Sequence, residues 1–222
     1  RFSGAHGLYA REEIRLLMAF LRVVADPEEN QSLYHLAASD LYRVPPLDLA
    51  RCSAAARRMH RSLFWIFTNV EGAGLHDLSG EGLATIQKLL GDLEEYVRRA
   101  QRLRTGEILY HFLMESGVLK RLMAAQDVAS QVQVQNIARF FEKVKRFGDV
   151  ARLDRVTQFV EYQEKLLEAG EDPPVAEADV DTDAVSVLTV HRAKGLEFPV
   201  IFLVALTADR FPNRGRRDPI EL

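Results

Sequence analysis

Apolar residues recur through most of the chain at the three- and four-residue spacing that is typical of amphipathic helices. The first such run ends before the Asp26-Pro27 pair, because proline is not tolerated in a helix interior. Its members are Ile14, Leu17, Met18 and Leu21. The chain is therefore predicted to be helical from near its beginning.

Further helices follow from the same spacing and from residues that end helices, such as the Pro45-Pro46 pair and Gly117. Thr105 is predicted to be the N-cap of one of them, with Glu107 in its first turn. The predicted helices cover about 30–39, 47–69, 83–104, 105–117, 137–148 and 151–169.

The pattern changes after the last helix. The stretch EDPPVAEADVDTD at 171–183 contains two prolines and six acidic residues, which indicates an exposed linker. AVSVLTV at 184–190 and PVIFLVAL at 199–206 are β-branched and apolar on both faces, as expected of strands buried in a parallel sheet. An all-helical unit from about 44 to 180 and an α/β segment are predicted, and the helices within 10–40 can pack on either.

Composition indicates an ordinary globular protein, with 47% hydrophobic and 27% charged residues among 222. A net charge of −3 argues against a free-standing basic DNA-binding module, although it leaves room for a local basic groove. Cys52 is the single cysteine, so no disulfide forms within the chain and no cysteine cluster binds a metal.

The longest apolar run has seven residues, which predicts no membrane span and a cytoplasmic protein. The ends look cut, so we expect a fragment of a longer protein.

The loop between the two predicted strands carries the candidate chemistry. It follows the carboxyl end of a strand, which is the edge of an open α/β sheet where ligands bind. Thr189 and His191 can hydrogen-bond phosphate oxygens, Lys194 adds positive charge, and Gly195 permits close approach of a ligand. Glu197 can orient the cations or accept hydrogen bonds from ribose hydroxyls. The alternative is a polar connection with solvated charges.

The full string TVHRAKGLEFPVIFL closely resembles motif V of superfamily 1 DNA helicases of the UvrD/Rep/PcrA type. The Phe211-Pro212 pair after it and the tail NRGRRDPIEL fit the same family. The opening GLYAREEIRLLMAFLRVVADPEEN resembles the family segment called IVa. The distance between these two matches suits a helical insertion, called 2B, within the second motor domain, called 2A.

This resemblance implies a mostly α fold, with an all-helical 2B-like domain inserted in a partial RecA-like α/β domain. Residues 1–43 would be the first part of the 2A-like domain. Residues 44–183 would be the 2B-like insertion with its acidic linker. Residues 184–222 would be the second part of the 2A-like domain, with motif V.

The resemblance also assigns roles. Thr189, His191 and Lys194 would contact DNA, and Gly195 and Glu197 would lie at the nucleotide. The full-length protein would use ATP and Mg²⁺ to move on single-stranded DNA, would meet a duplex junction, and would work with a DNA-repair protein partner. The sequence contains no G-x-x-x-x-G-K-[ST] phosphate loop, so the isolated chain is predicted to be inactive as an ATPase.

Several basic clusters allow either DNA contact or a solvated surface. The strongest lies after the sheet and comprises Arg210, Arg214, Arg216 and Arg217, of which the last three are candidate DNA contacts. The others are Arg57, Arg58, His60 and Arg61 on one predicted helix and Arg98, Arg99, Arg102 and Arg104 at the end of another.

Two smaller sets and the chain as a whole also leave alternatives open. Phe64, Trp65 and Phe67 form either a stacking set or core. Arg11 lies near DNA or in an ordinary first helical turn. The alternative function for the whole chain is a non-enzymatic helical module for protein interaction or autoregulation.

Overall fold

The computed structural model describes residues 7–125, 127–171, 193, 194, 197 and 199–204. The chain divides into two compact units. One is Ala5–Thr182, and the other combines Arg1–Gly4 with Asp183–Leu222.

Nine α-helices form the described part of the first unit, after a short 3₁₀ turn at Leu8–Ala10. The prediction of a mostly helical chain is therefore confirmed. The helices are α1 Glu12–Ala25, α2 Asn30–Ala38, α3 Pro46–Met59, α4 Leu63–Thr68, α5 Gly80–Ala100, α6 Thr105–Glu115, α7 Val118–Ala124, α8 Val128–Val150 and α9 Val156–Glu168. None of them is both long and apolar enough to cross a membrane, judged over the described residues.

Helix α1 is the centre of this unit. From Leu17 to Val24 it buries residues on every side, and it packs against α2, α5, α8 and α9. A helix that is apolar all round belongs in an interior. The helices before residue 44 thus pack with those after it. The proposed boundaries at 43/44 and 183/184, which concern domain membership within a longer protein, stay predictions.

Two aromatic groups hold the helices together. Phe20 of α1 stacks on Phe112 of α6 with ring centres 3.8 Å apart, and Tyr96 of α5 meets the edge of Phe20 at 5.0 Å. Phe159 of α9 packs edge-on against Phe147 of α8 at 5.4 Å. Buried aromatic pairs of this kind add specific geometry to the burial of apolar area.

Several predicted helix limits were wrong, and no helix was predicted over α7. The predicted helix 47–69 is two helices, α3 and α4, with three residues between them. Thr105 is the first residue of α6 rather than its N-cap, and Glu107 accepts a hydrogen bond from the Arg104 N–H at 2.7 Å. Gly148 does not end α8, which continues to Val150. Its lack of a side chain instead makes room for the Asp154 carboxylate, which would lie 2.9 Å from an added Cβ.

The predicted strand at 184–190 lies outside the described residues. The one predicted at 199–206 is described over 199–204, where no residue belongs to a strand. Val200, Ile201, Phe202, Leu203 and Val204 are all at least 60% exposed, so the expectation of burial is wrong for them. Strand pairing depends on partner strands, and none of the described residues supplies one.

Candidate nucleic-acid interface

Only two of the predicted loop and tail site residues are described. Lys194 and Glu197 are both exposed, and the structure records no hydrogen bond or ion pair for either among the described residues. The other candidates lie outside the described residues: Thr189, His191, Gly195, Arg214, Arg216 and Arg217. The geometry of a basic surface can be built only for the clusters on the helices.

The first helical cluster is shaped by a tight ending of α3. His60 adopts the left-handed conformation at φ 50°, which few residues other than glycine take readily. The Arg61 N–H then donates to the Ala56 carbonyl at 3.0 Å, in the pattern of a Schellman motif. The chain turns sharply here, so the four basic residues predicted to lie on one helix are divided. Arg57 and Arg58 belong to α3, whereas His60 and Arg61 follow it.

Helix α4 begins directly after this turn. Ser62 accepts a hydrogen bond from the Trp65 N–H at 3.1 Å and caps the helix. Asn30, at the start of α2, accepts one from the Leu63 N–H at 2.6 Å. Leu63, Ile66 and Phe67 of α4 are buried, so core packing is the right interpretation for Phe67.

Trp65 is only half-buried, and the Arg61 guanidinium lies 5.3 Å from the centre of its ring system. This is the geometry of a cation–π contact. Arg57, Arg58 and His60 are also exposed, and none of them makes an ion pair within the part of the chain that the structure describes. We call Arg57, Arg58, His60, Arg61 and Trp65 the α3–α4 corner.

The other end of α3 is anchored by a buried carboxylate. Asp48 is 2% exposed and accepts hydrogen bonds from the Ser79 hydroxyl and, at 3.2 Å, from the Ser79 N–H at the start of α5. Arg51 bridges Asp48 and Asp77 at 3.6 and 3.2 Å. A Cβ at Gly82 would clash with the Asp48 carboxylate, so glycine at this position makes room for the anchor. Nothing in the hydrophobic pattern singled out this anchor.

The second basic cluster lies in a different electrostatic setting. Arg99 donates to Glu95 at 2.6 Å and to Glu115 of α6 at 2.7 Å, and Arg98 also pairs with Glu95. Tyr96 donates to Glu115 at 2.9 Å. We call this group, together with His111, the α5–α6 network. Arg99 joins the two helices, and Arg98 is paired within α5.

The pKa values in the network reflect these contacts. Burial opposes ionisation of Glu115, but the hydrogen bonds from Arg99 and Tyr96 and the charges of Arg99 and His111 outweigh it and lower the pKa of Glu115. Burial, with a further contribution from the Glu115 hydrogen bond, raises the pKa of Tyr96. The carboxylate is thus kept charged to accept from its neighbours.

The remaining two arginines of the second cluster follow α5. Arg102 and Arg104 are exposed and lie after the helix, which ends at Ala100 rather than near 104. Arg104 borders an open cavity of about 360 Å³ together with Lys145 of α8. Three carboxylates line the same cavity, so its charge is mixed: Glu107, Asp149 and Asp154.

The first turn of α1 supports the structural interpretation of the Arg11 region. Glu12 and Glu13 occupy the first turn, where acidic residues stabilise a helix by interacting with the positive end of its dipole. Glu13 also accepts a hydrogen bond from Asn136 of α8 at 2.7 Å. These contacts tie the start of α1 into the helical unit.

Comparison with known proteins places the chain in a family. The family model described as the UvrD-like helicase C-terminal domain matches residues 75–221. The chain belongs to this family. The resemblance to superfamily 1 helicases of the UvrD/Rep/PcrA type is thereby confirmed.

Individual relatives of this UvrD-like chain match almost all of it. The ATP-dependent DNA helicase PcrA of Leuconostoc citreum is 26% identical over 216 residues, which cover 94% of the chain and 28% of PcrA. The PcrA of Bacillus subtilis is 24% identical over 210 residues, covering 95% of the chain and 28% of that protein. The ATP-dependent DNA helicase Rep of Escherichia coli is 24% identical over 229 residues, 98% of the chain and 32% of Rep. The chain thus spans about a third or less of these relatives.

Two features of this UvrD-like chain were missed at the level of sequence. The hydrogen bond between Asn30 and the first turn of α4 joins residues 33 positions apart, and no local sequence pattern predicts it. The pairing of Arg98 and Arg99 with a carboxylate could have been predicted from the sequence, because Glu95 precedes them by three and four residues. That spacing on a helix brings the side chains together.

Proposed function

We propose that the chain is part of an ATP-dependent DNA helicase or translocase that acts in DNA repair or recombination and moves on single-stranded DNA. The observation that carries the proposal is the similarity to PcrA and Rep over 94% and 98% of the chain, together with the motif TVHRAKGLEFPVIFL. The proposed arrangement is a helical 2B-like insertion within a RecA-like 2A domain.

Within that proposal, Thr189, His191 and Lys194 contact DNA and Gly195 and Glu197 lie at the nucleotide. The full-length protein takes up ATP with Mg²⁺. Among the described residues no group of three or more His, Cys, Asp or Glu side chains is arranged to hold a metal ion. We expect the isolated chain to lack ATPase activity, since its sequence has no phosphate loop.

For DNA contact by the helices, the α3–α4 corner is the better of the two candidate clusters. Its Arg57 and Arg58 are free of carboxylate partners among the described residues, so their charge is available to phosphates. Trp65 adds an aromatic face beside Arg61. We propose that the corner contacts duplex DNA at a junction, and that Arg214, Arg216 and Arg217 add phosphate contacts.

The test is fluorescence anisotropy of the 222-residue chain with single-stranded DNA, blunt duplex and 3′-tailed duplex, from about 50 to about 200 mM salt. We expect binding to duplex or tailed duplex, with an affinity that falls steeply as salt rises because phosphate contacts release counterions. Absence of binding at the lowest salt would contradict DNA contact by this part of the protein.

A second candidate function is protein interaction by the helical unit, including a DNA-repair protein partner. Tyr110 and Met114, four residues apart on α6, are 54% and 52% exposed, and Met123 of α7 is 70% exposed. Exposed aromatic and methionine side chains are enriched where proteins bind one another. A chain that fails to bind any of the three DNAs would shift the assignment toward this function.

A further inference from the structure

The short helix α4 depends on outside support. With six residues it is far below the length at which a helix is stable alone. Its first backbone N–H groups have no partner within the helix. Ser62 satisfies the Trp65 N–H from within the turn, and Asn30 satisfies the Leu63 N–H from 33 residues away.

Donor and acceptor character determine which atom of the Asn30 amide makes the hydrogen bond. The Leu63 N–H is a donor, so only the Oδ1 oxygen of Asn30 can accept from it. Asn30 is also the first residue of α2, whose N-cap Glu29 accepts from the Ser32 N–H at 2.7 Å. The starts of α2 and α4 are thus held at one point.

This bond bears on the candidate interface because α4 carries Trp65. The bond at Leu63 and the cap at Ser62 fix one end of the helix, and the buried Ile66 fixes its rotation. Together they determine how far Trp65 is exposed and where its ring meets Arg61.

We infer that Asn30 is a positioning residue for the α3–α4 corner. It couples the corner to the α1–α2 pair, since α2 buries Leu33, Leu36 and Ala37 and packs against α1. The inference rests on the proposed function, in which the corner contacts DNA. On that view α2 sets the orientation of Trp65 and Arg61, and loss of the Asn30 acceptor misplaces them while their chemistry stays intact.

The experiment compares Asn30→Ala with Asn30→Asp in the 222-residue chain. Aspartate keeps an oxygen acceptor, so it should retain the link that alanine removes. Trp65 is the only tryptophan of the chain, and acrylamide quenching of its fluorescence reports its exposure directly. Affinity for 3′-tailed duplex is measured by anisotropy in parallel. Asp127→Ala is the matched control, because Asp127 caps α8 by accepting from the Ser130 N–H at 2.8 Å, outside the corner.

We expect Asn30→Ala to increase quenching of Trp65 and to weaken DNA binding by up to about tenfold, since the net contribution of one hydrogen bond limits how strongly it can hold the corner in place. Asn30→Asp should restore both values, and Asp127→Ala should change neither. Wild-type quenching and affinity in Asn30→Ala would overturn the inference, and so would equal changes in Asp127→Ala. If the wild-type chain binds no DNA, the proposed DNA contact by this part of the protein fails, and Trp65 quenching alone then decides whether Asn30 positions the corner.

Discussion

Two pairs of adjacent arginines occupy the same position on two helices, but only one pair is bound by carboxylates. Arg57 and Arg58 lie in the last turn of α3, and Arg98 and Arg99 lie in the last turn of α5. In both places the cations complement the negative end of the helix dipole. The first pair faces solvent without a carboxylate, whereas the second pair is drawn into contacts with Glu95 and Glu115.

The comparison shows that a basic cluster in a sequence does not by itself define a binding surface. The charge available to a ligand is what remains after intramolecular pairing. Phosphate binding at the α5 pair would have to compete with Glu95 and Glu115, while binding at the α3 pair displaces only water and counterions. The two pairs therefore provide an internal test of DNA contact.

The largest expected effect comes from removing the unpaired cations. Arg57→Gln with Arg58→Gln should weaken binding of 3′-tailed duplex about tenfold near 50 mM salt and reduce the slope of log affinity against log salt by up to about two, because each phosphate contact contributes about 0.9. Anisotropy titrations at several salt concentrations measure both quantities. The fold should be unaffected, since both side chains are exposed.

The matched control is the double variant Arg98→Gln with Arg99→Gln. It removes the same formal charge from the same position on a helix, so a purely nonspecific charge effect would weaken DNA binding equally. We expect the affinity and the salt slope to stay close to wild type. Equal losses in the two double variants would show that the pairing seen in the structure does not matter for binding.

A smaller effect is expected from breaking the α5–α6 network at its shared acceptor. Glu115→Gln should lower the free energy of unfolding by about 1 kcal/mol near neutral pH, the upper end for partly exposed ion pairs. Glu115 is 45% exposed, and solvent limits the value. Urea titrations followed by circular dichroism give the free energy difference. Glu94→Gln is the control, because Glu94 is exposed and makes no ion pair with any described residue.

The pH dependence of that difference has a fixed sign. The pKa of Glu115 is lower in the folded protein than its ordinary value of 4.5, so its stabilisation is fully present above the unfolded-state pKa. It is lost as the pH falls through the folded-state pKa. The difference between wild type and Glu115→Gln should therefore shrink as the pH falls below the ordinary value of 4.5. A difference that grows as the pH falls below that value would contradict this assignment.

Local pattern predicted most of the helices, but it missed α7 and the joints between helices. The α1 stripe at Ile14, Leu17 and Leu21 was visible as periodicity, because side chains three and four residues apart share a face. The break between α3 and α4 was not, since it depends on a left-handed His60 where no glycine or proline signals a turn. The burial of α1 on every side from Leu17 to Val24 was not predicted either, because it depends on how many helices surround α1.

The candidate site, too, could be predicted from the sequence only in part. The family followed from the motif at 189–203, where residue identities alone are specific. The contrast between the two arginine pairs needed distances, because pairing with Glu115 crosses from α5 to α6. The link from Asn30 to Leu63 likewise joins two helices that are distant in sequence.

The smallest expected effect tests whether one residue separates the two pairs. Glu95 precedes Arg98 and Arg99 by three and four residues, and the exposed Ala54 stands at the same spacing before Arg57 and Arg58. Ala54→Glu should pair with the α3 arginines, raise the free energy of unfolding by about 0.3–0.5 kcal/mol and weaken duplex binding only a few-fold. Ala54→Gln controls for side-chain size, and urea titration with anisotropy measures both effects. Unchanged DNA affinity in Ala54→Glu would mean that the unpaired state of the α3 arginines is not what makes the corner a binding surface.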